Sequence, residues 1–206
     1  MYIPALNRWD NPDEILAFMH ANNFAIVVSV QDGLPVATHL PVTISTQADT
    51  MIIRAHFAKA NPQWQALSEG ETLIIFSGAH AYISPKHYDK HENVPTWNYI
   101  AVHAYGHAQL VHYADNPEAM NALIEELIST SETSYMTQWH SLSDKYKHGM
   151  MGGTVGFEMV VSRIDAKAKL SQNKNAHEQG QIIESLLGHA DSDAVAIGEA
   201  MQKRLS

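Results

Sequence analysis

Residues 97–113 alternate apolar and polar side chains with period two, and this constrains the fold more than any other feature of the chain. Ile100, Val102, Ala104, Gly106, Ala108 and Leu110 fall on one face; Tyr99, His103, Tyr105, His107 and Gln109 fall on the other. A helix would scatter both sets around its axis, so a long strand is the regular element that fits. The first face is small and apolar, as the inside of a tight barrel requires. Gly106 within it marks a bend or a close approach of another backbone.

Other segments repeat the theme. Residues 23–30 and 34–45 are rich in β-branched side chains and are separated by Gln31-Asp32-Gly33, a hairpin signal. A second turn at Gln47-Ala48-Asp49 leads into 51–57, and 72–77, 80–84 and 154–164 read as further strands. Helices are expected after Asp10-Asn11-Pro12, after Asn61-Pro62 and from Asp115-Asn116-Pro117 to about Ser129, then near 174–187 and over Ser192–Leu205. About six antiparallel strands with turn-length connections describe a mainly β, α+β chain: a small barrel with a helical C-terminal tail. With no repeat and no Gly/Ser linker, one domain is expected, with residues 1–170 as the barrel and 171–206 as its helical extension.

Composition narrows the function. A hydrophobic share of 45% in 206 residues supports a globular core, and no apolar run reaches the roughly 18 residues of a membrane span. The N-terminus lacks a basic-then-apolar leader, so a cytoplasmic location and no membrane contact are expected. The absence of cysteine excludes disulfides, thiolate catalysis and zinc ribbons. Net charge is −9, and it is uneven: 5 Lys and Arg face 14 Asp and Glu up to His140, while the remainder holds 8 of each. That balance opposes contact with duplex DNA over most of the chain.

Thirteen histidines invite a metal reading, but their spacing does not support one. His87 and His91 lie in a polar loop, and His103 and His107 sit roughly 13 Å apart along a strand, too far to share an ion. No metal is expected. Gly78 and Gly152-Gly153 complete no phosphate loop, and Ser77 and Ser171 sit in no nucleophile elbow. Polar groups do cluster with aromatics at strand ends: Thr38-His39, His56 to Asn61, Tyr82 and Trp97-Asn98. Such a set suits a planar aromatic ligand with an anionic tail. The 58–62 turn joins Lys59 to a helix start, which favours a phosphate, although a plain N-cap at Asn61 and a solvated Lys59 explain the same residues.

Six blocks stand in order along the chain: MYIP at 1–4, ATHLP at 37–41, HFAKANPQW at 56–64, FSGAHAYISP at 76–85, VPTWNY at 94–99 and KLSQNK at 169–174. In these blocks the chain resembles the PaiB-type FMN-binding family of negative transcriptional regulators. The resemblance implies an FMN-binding split β-barrel related to pyridoxamine-phosphate oxidases, a homodimer with FMN in the clefts between subunits. It implies Thr38 and His39 beside the flavin, His56, Lys59 and Asn61 near the ribityl phosphate, and Tyr82 and Trp97 lining the cleft. Lys169, Ser171 and Asn173 would approach from the partner subunit or the cleft rim. Lys59 and Lys174 stand where the family pattern favours arginine, which keeps the charge and loses the bidentate fork. The implied role is negative regulation of transcription. The alternatives are an FMN-dependent oxidoreductase, with His39, His56 and Tyr82 as proton donors or orienting groups, and a haem-binding split barrel.

Overall fold

A computed structural model describes residues 1–48 and 50–205; Asp49 of the expected 47–49 turn and Ser206 of the expected 171–206 extension lie outside the described residues. The strands are β1 Phe24–Gln31, β2 Leu34–Pro41, β3 Thr43–Gln47, β4 Thr50–Ala58, β5 Glu71–Ile83, β6 Thr96–Val111 and β7 Thr154–Lys169. They form one antiparallel sheet in the order β2-β1-β5-β6-β7-β4-β3. The helices are α1 Pro12–Ala21, α2 Pro117–Glu132, α3 Met136–Ser141, α4 Asp144–Gly152, α5 Ala176–Leu187 and α6 Ser192–Leu205. The α+β class expected from the period-two segments is the class the chain adopts.

The β1–β2 hairpin closes through Asp32 and Gly33, whose φ angles of 52° and 78° are those of a two-residue type I′ loop. Two stretches are divided differently from expectation, and β7 runs five residues past the expected 154–164. The 34–45 segment breaks at Val42 because its two halves pair with different strands: Pro41 ends opposite Phe24 of β1, the Val42 N–H still donates to the Asn23 carbonyl at 2.8 Å in that register, and Thr43 begins opposite Arg54 of β4. Conversely, 72–77 and 80–84 fuse into the single 13-residue β5. Gly78 lets the fused strand pass the Phe18 ring, since a Cβ there would lie 2.5 Å from Phe18 Cε2.

The break at Val42 shapes the sheet. β2 and β3 are its two outermost strands, yet only Val42 joins them. Consecutive Cα atoms are about 3.8 Å apart, so Pro41 and Thr43 are held within roughly 7.6 Å of each other. The two sheet edges therefore meet at this step without pairing, which is the seam of a split barrel.

The chain divides into two compact units. The barrel unit comprises Met19–Phe76 and His103–Ile164, and its core holds the fully buried Ile53, Phe57, Ile74, Phe76, Met120, Phe157 and Met159. The expected inward face of β6 is buried here at Ala104, Gly106 and Ala108. At Gly106 an added Cβ would stand 2.1 Å from the Val160 carbonyl oxygen, so the close approach inferred from the glycine is real. Asn116 caps α2 through the Ala119 N–H and turns Met120, Leu123 and Leu127 inward. α3 and α4 occupy a stretch to which the sequence pattern assigned no element; the Ser143 side chain caps α4.

The terminal unit comprises Met1–Phe18, Ser77–Val102 and Asp165–Ser206. Its core gathers Ala81, Ile83, Tyr88 and Leu170 against Ile182, Ile183 and Leu186 of α5 and Ala194, Ile197 and Met201 of α6. α5 starts in a capping box: the Asn175 side chain accepts from the Glu178 N–H, and the Glu178 carboxylate accepts from the Asn175 N–H.

Candidate functional site

In the barrel unit the 56–64 block builds a polar knot. Asn61 is extended ahead of Pro62, and its Oδ1 accepts from the Gln63 N–H at 3.0 Å, capping the short 3-10 turn Pro62–Ser68. This drives Gln63 inward until no part of it is exposed. Its Nε2 donates to the Val27 carbonyl at 2.9 Å and to the Val36 carbonyl at 3.1 Å, stitching the turn to β1 and β2. The Thr38 hydroxyl donates to Gln63 Oε1 at 2.5 Å and accepts from Asn61 Nδ2 at 3.0 Å. Thr38 and Asn61, both expected near the ligand, thus lie together.

Lys59 is held by its backbone. Its N–H donates to the Gly153 carbonyl at 2.8 Å, and its carbonyl accepts from Trp64 Nε1 at 3.1 Å. The side chain is exposed, and its ammonium makes no ion pair among the described residues. His39 follows Thr38 on the strand and so points to the opposite face, where its ring lies 6.1 Å from that of Phe24. His56 belongs to a different surface: it lines a cavity of about 270 Å3 with Ile124, Leu127, Ile128, Ser131, Glu132 and Tyr135. Its Nδ1 is buried without a hydrogen-bond partner among the described residues, and burial holds the imidazole pKa below its ordinary value.

In the terminal unit the sequence-predicted aromatics meet. The Tyr82 and Trp97 rings are 5.8 Å apart and nearly perpendicular, and the His80 ring also stands 5.8 Å from that of Trp97. Tyr82 and Trp97 remain 51% and 52% exposed. They line a cavity of about 450 Å3 that also takes in Lys86, His87 and His189. Burial, with Lys86 adding to it, lowers the His87 pKa. His80 Nδ1 lies 3.2 Å from an Asp193 carboxylate oxygen. Lys169 donates to the hydroxyl of Thr96, the neighbour of Trp97. Ser171 is buried and sits at φ 60°, where it hydrogen-bonds Asn98 at 2.9 Å and 3.2 Å. Asn173 is exposed.

Gln63 and Asn98 organise these two regions; Asn98 stood in the strand-end polar cluster but was assigned no ligand contact, and Gln63 was not singled out. Asn98 carried a readable signal, a polar side chain in the inward register of a strand; Gln63 carried none beyond its place after a cap. Among the described residues no group of three or more His, Asp or Glu is placed to hold a metal ion, and no helix is long and apolar enough to cross a membrane.

Residues 1–163 match the family described as "Putative FMN-binding domain". Over 206 residues, all of this chain and 98% of the other, the sequence is 38% identical to the protease synthase and sporulation protein PAI 2 of Bacillus subtilis. Among solved structures it resembles the FAD and haem binding protein of Mycobacterium smegmatis, with TM-score 0.57 and 15% identity over 84% of this chain and 78% of that one. The flavocytochrome Anf3 of Azotobacter vinelandii is similar with TM-score 0.54 and 19% identity over 79% of this chain and 69% of that one. At those identities the likeness is one of fold.

Proposed function

Because the chain belongs to the family of that FMN-binding domain, we propose that it binds FMN and serves as a PaiB-type negative regulator of transcription in the cytoplasm. The observation that carries this reading is the end-to-end match to the Bacillus subtilis PAI 2 protein. The side chains present are compatible with the cofactor. Its flat ring suits the open aromatic edge of Tyr82 and Trp97, and its phosphate suits the Lys59 ammonium, which makes no ion pair among the described residues, with Asn61 and Thr38 holding the turn beside it. Bound flavin would supply hydride or single-electron chemistry, while the protein holds and orients it.

In this reading residues 1–170 form the flavin-binding split barrel and 171–206 extend the same domain. Two copies associate, with Tyr82 and Trp97 lining the cleft and Lys169, Ser171 and Asn173 approaching from the partner subunit or the cleft rim, Ser171 acting through Asn98. Phe24, Val30 and Leu34, each 59–66% exposed on the β1–β2 hairpin, offer apolar surface that association would cover. The acidic balance up to His140 works against operator contact by that part of the chain.

The test is direct. Purified protein titrated with FMN should retain absorbance bands near about 370 and 450 nm through gel filtration, and light scattering should give twice the chain mass. Loss of the flavin on the column removes the cofactor from the reading. A gel shift at low salt that is absent with and without FMN removes direct operator binding.

One observation favours oxidoreductase activity as a second reading. Beside Tyr82 and Trp97 the same cavity presents the imidazoles of His80, His87 and His189, groups able to move protons near a flavin. Reduction of the bound flavin by NADH or NADPH, followed by reoxidation with a small oxidant, would support it; a flavin inert to both excludes it.

A further inference from the structure

A separate cavity of about 610 Å3 lies in the terminal unit, within the usual size of a small-molecule site, and the family resemblance singles out none of its residues as ligand contacts. Its floor is apolar. Leu170 is buried there, and Trp9, Phe18, Ile100, Ala168 and Ala200 are half-buried. Ile100, Ala168 and Ala200 also pack on the core of the unit, so the floor is core surface left uncovered. Trp9 meets Phe18 edge-to-face at 5.6 Å.

The polar atoms around the floor are spent on one another. Trp9 Nε1 donates to Glu14 at 2.9 Å. Gln172 donates to the Ala168 carbonyl at 2.5 Å and accepts from the Leu170 N–H at 2.7 Å. A ligand body resting there needs no hydrogen bonds.

The rim carries the charge: Arg8, Lys203 and Arg204 against Asp13 and Glu14. Glu14 is occupied by Trp9 and by Lys203 at 3.4 Å. Arg8 uses Nε on Asp10 at 2.6 Å, which leaves its terminal nitrogens, and Arg204 makes no ion pair among the described residues. Asp13 is the one lining carboxylate without such a contact among them. The donors still open are therefore two guanidinium groups, the geometry suited to a carboxylate.

We propose that this cavity binds an amphiphilic organic acid, its aryl or alkyl body on Trp9, Phe18, Ile100 and Leu170 and its carboxylate at Arg204 and Arg8. Calorimetric titration of the full chain with 2-naphthoate, 2-naphthalenemethanol and 2-naphthylmethylammonium tests it. Naphthoate should bind once per chain, about tenfold tighter than the alcohol, and the ammonium should give no heat. Arg204→Gln, on the exposed rim, should weaken naphthoate about tenfold and leave the alcohol unchanged. Ala200→Trp should fill the floor and abolish both, with circular dichroism checking that the variant folds. Equal affinity for the three probes, no binding of naphthoate, or an unchanged naphthoate affinity in Arg204→Gln overturns the proposal. The titration is repeated at saturating FMN: unaltered naphthoate affinity supports a separate site, whereas competition places the probe in the flavin site and overturns the assignment. A chain that binds no FMN yet binds naphthoate as described loses the flavin reading alone.

Discussion

The 56–64 turn of the barrel unit and the aromatic edge of the terminal unit treat their polar groups in opposite ways. Thr38, Asn61 and Gln63 bond one another and the carbonyls of Val27 and Val36, leaving the Lys59 ammonium as the open charge of that turn. Tyr82 and Trp97 stay half exposed, with imidazoles around them. Saturated hydrogen bonding marks groups that hold the fold, and unspent capacity marks groups free to meet a ligand. The same contrast runs inside the terminal unit, where Asn98 and Ser171 are closed on each other while Tyr82 and Trp97 are open.

Substitutions should separate these classes. Gln63→Leu has the largest expected effect: it strips partners from the Thr38 hydroxyl and two strand carbonyls, and should cost about 3 kcal/mol or more of stability in urea unfolding. A loss under about 1 kcal/mol would mean that the relay is not scaffold. Trp97→Ala should weaken FMN binding about tenfold, read by flavin titration, with a stability change under about 1 kcal/mol for so exposed a ring. Ser171→Ala should shift the balance the other way, costing about 1 kcal/mol of stability while weakening FMN only about threefold, through the lost hold on Asn98. Lys59→Gln should leave the urea midpoint unchanged and weaken FMN about fivefold with riboflavin unaffected, because only the phosphate is addressed.

The smallest effect is one of pH. Burial lowers the folded-state pKa of both His56 and His87, so the unfolded chain binds more protons once pH falls below about 6.5, the ordinary imidazole value. Stability is then full above that value and declines as pH drops through the lowered pKa values. Urea midpoints at pH 7.5 and 5.5 should show the decline, and His56→Gln should reduce its slope while leaving the part due to His87. An unchanged slope in that variant would show that His56 does not titrate in this window.

Much of the fold was legible because period-two patterning is local: β6, the β1–β2 hairpin and the inward face around Gly106 follow from side-chain alternation and turn chemistry. What escaped depends on partners distant in sequence. The split at Val42 needs two different neighbours, β1 for Pro41 and β4 for Thr43, and the fusion through Gly78 needs the Phe18 ring. α3 and α4 carry few apolar residues and bury only Trp139 and Met151, which leaves weak periodicity to read. Of the expected ligand-facing residues, Thr38 with Asn61 and Tyr82 with Trp97 are paired in space. Pattern alone did not separate Thr38 from His39 on opposite strand faces, nor turn His56 toward α2, since block order carries no side-chain direction.

Val42 acts as a clasp of minimum length. One added residue there would reverse which way the side chains of a neighbouring strand face, or let the barrel lips drift apart by up to about 3.8 Å. Natural variation in length should therefore gather at the hairpin tips and spare this link, because the clasp has no slack to give.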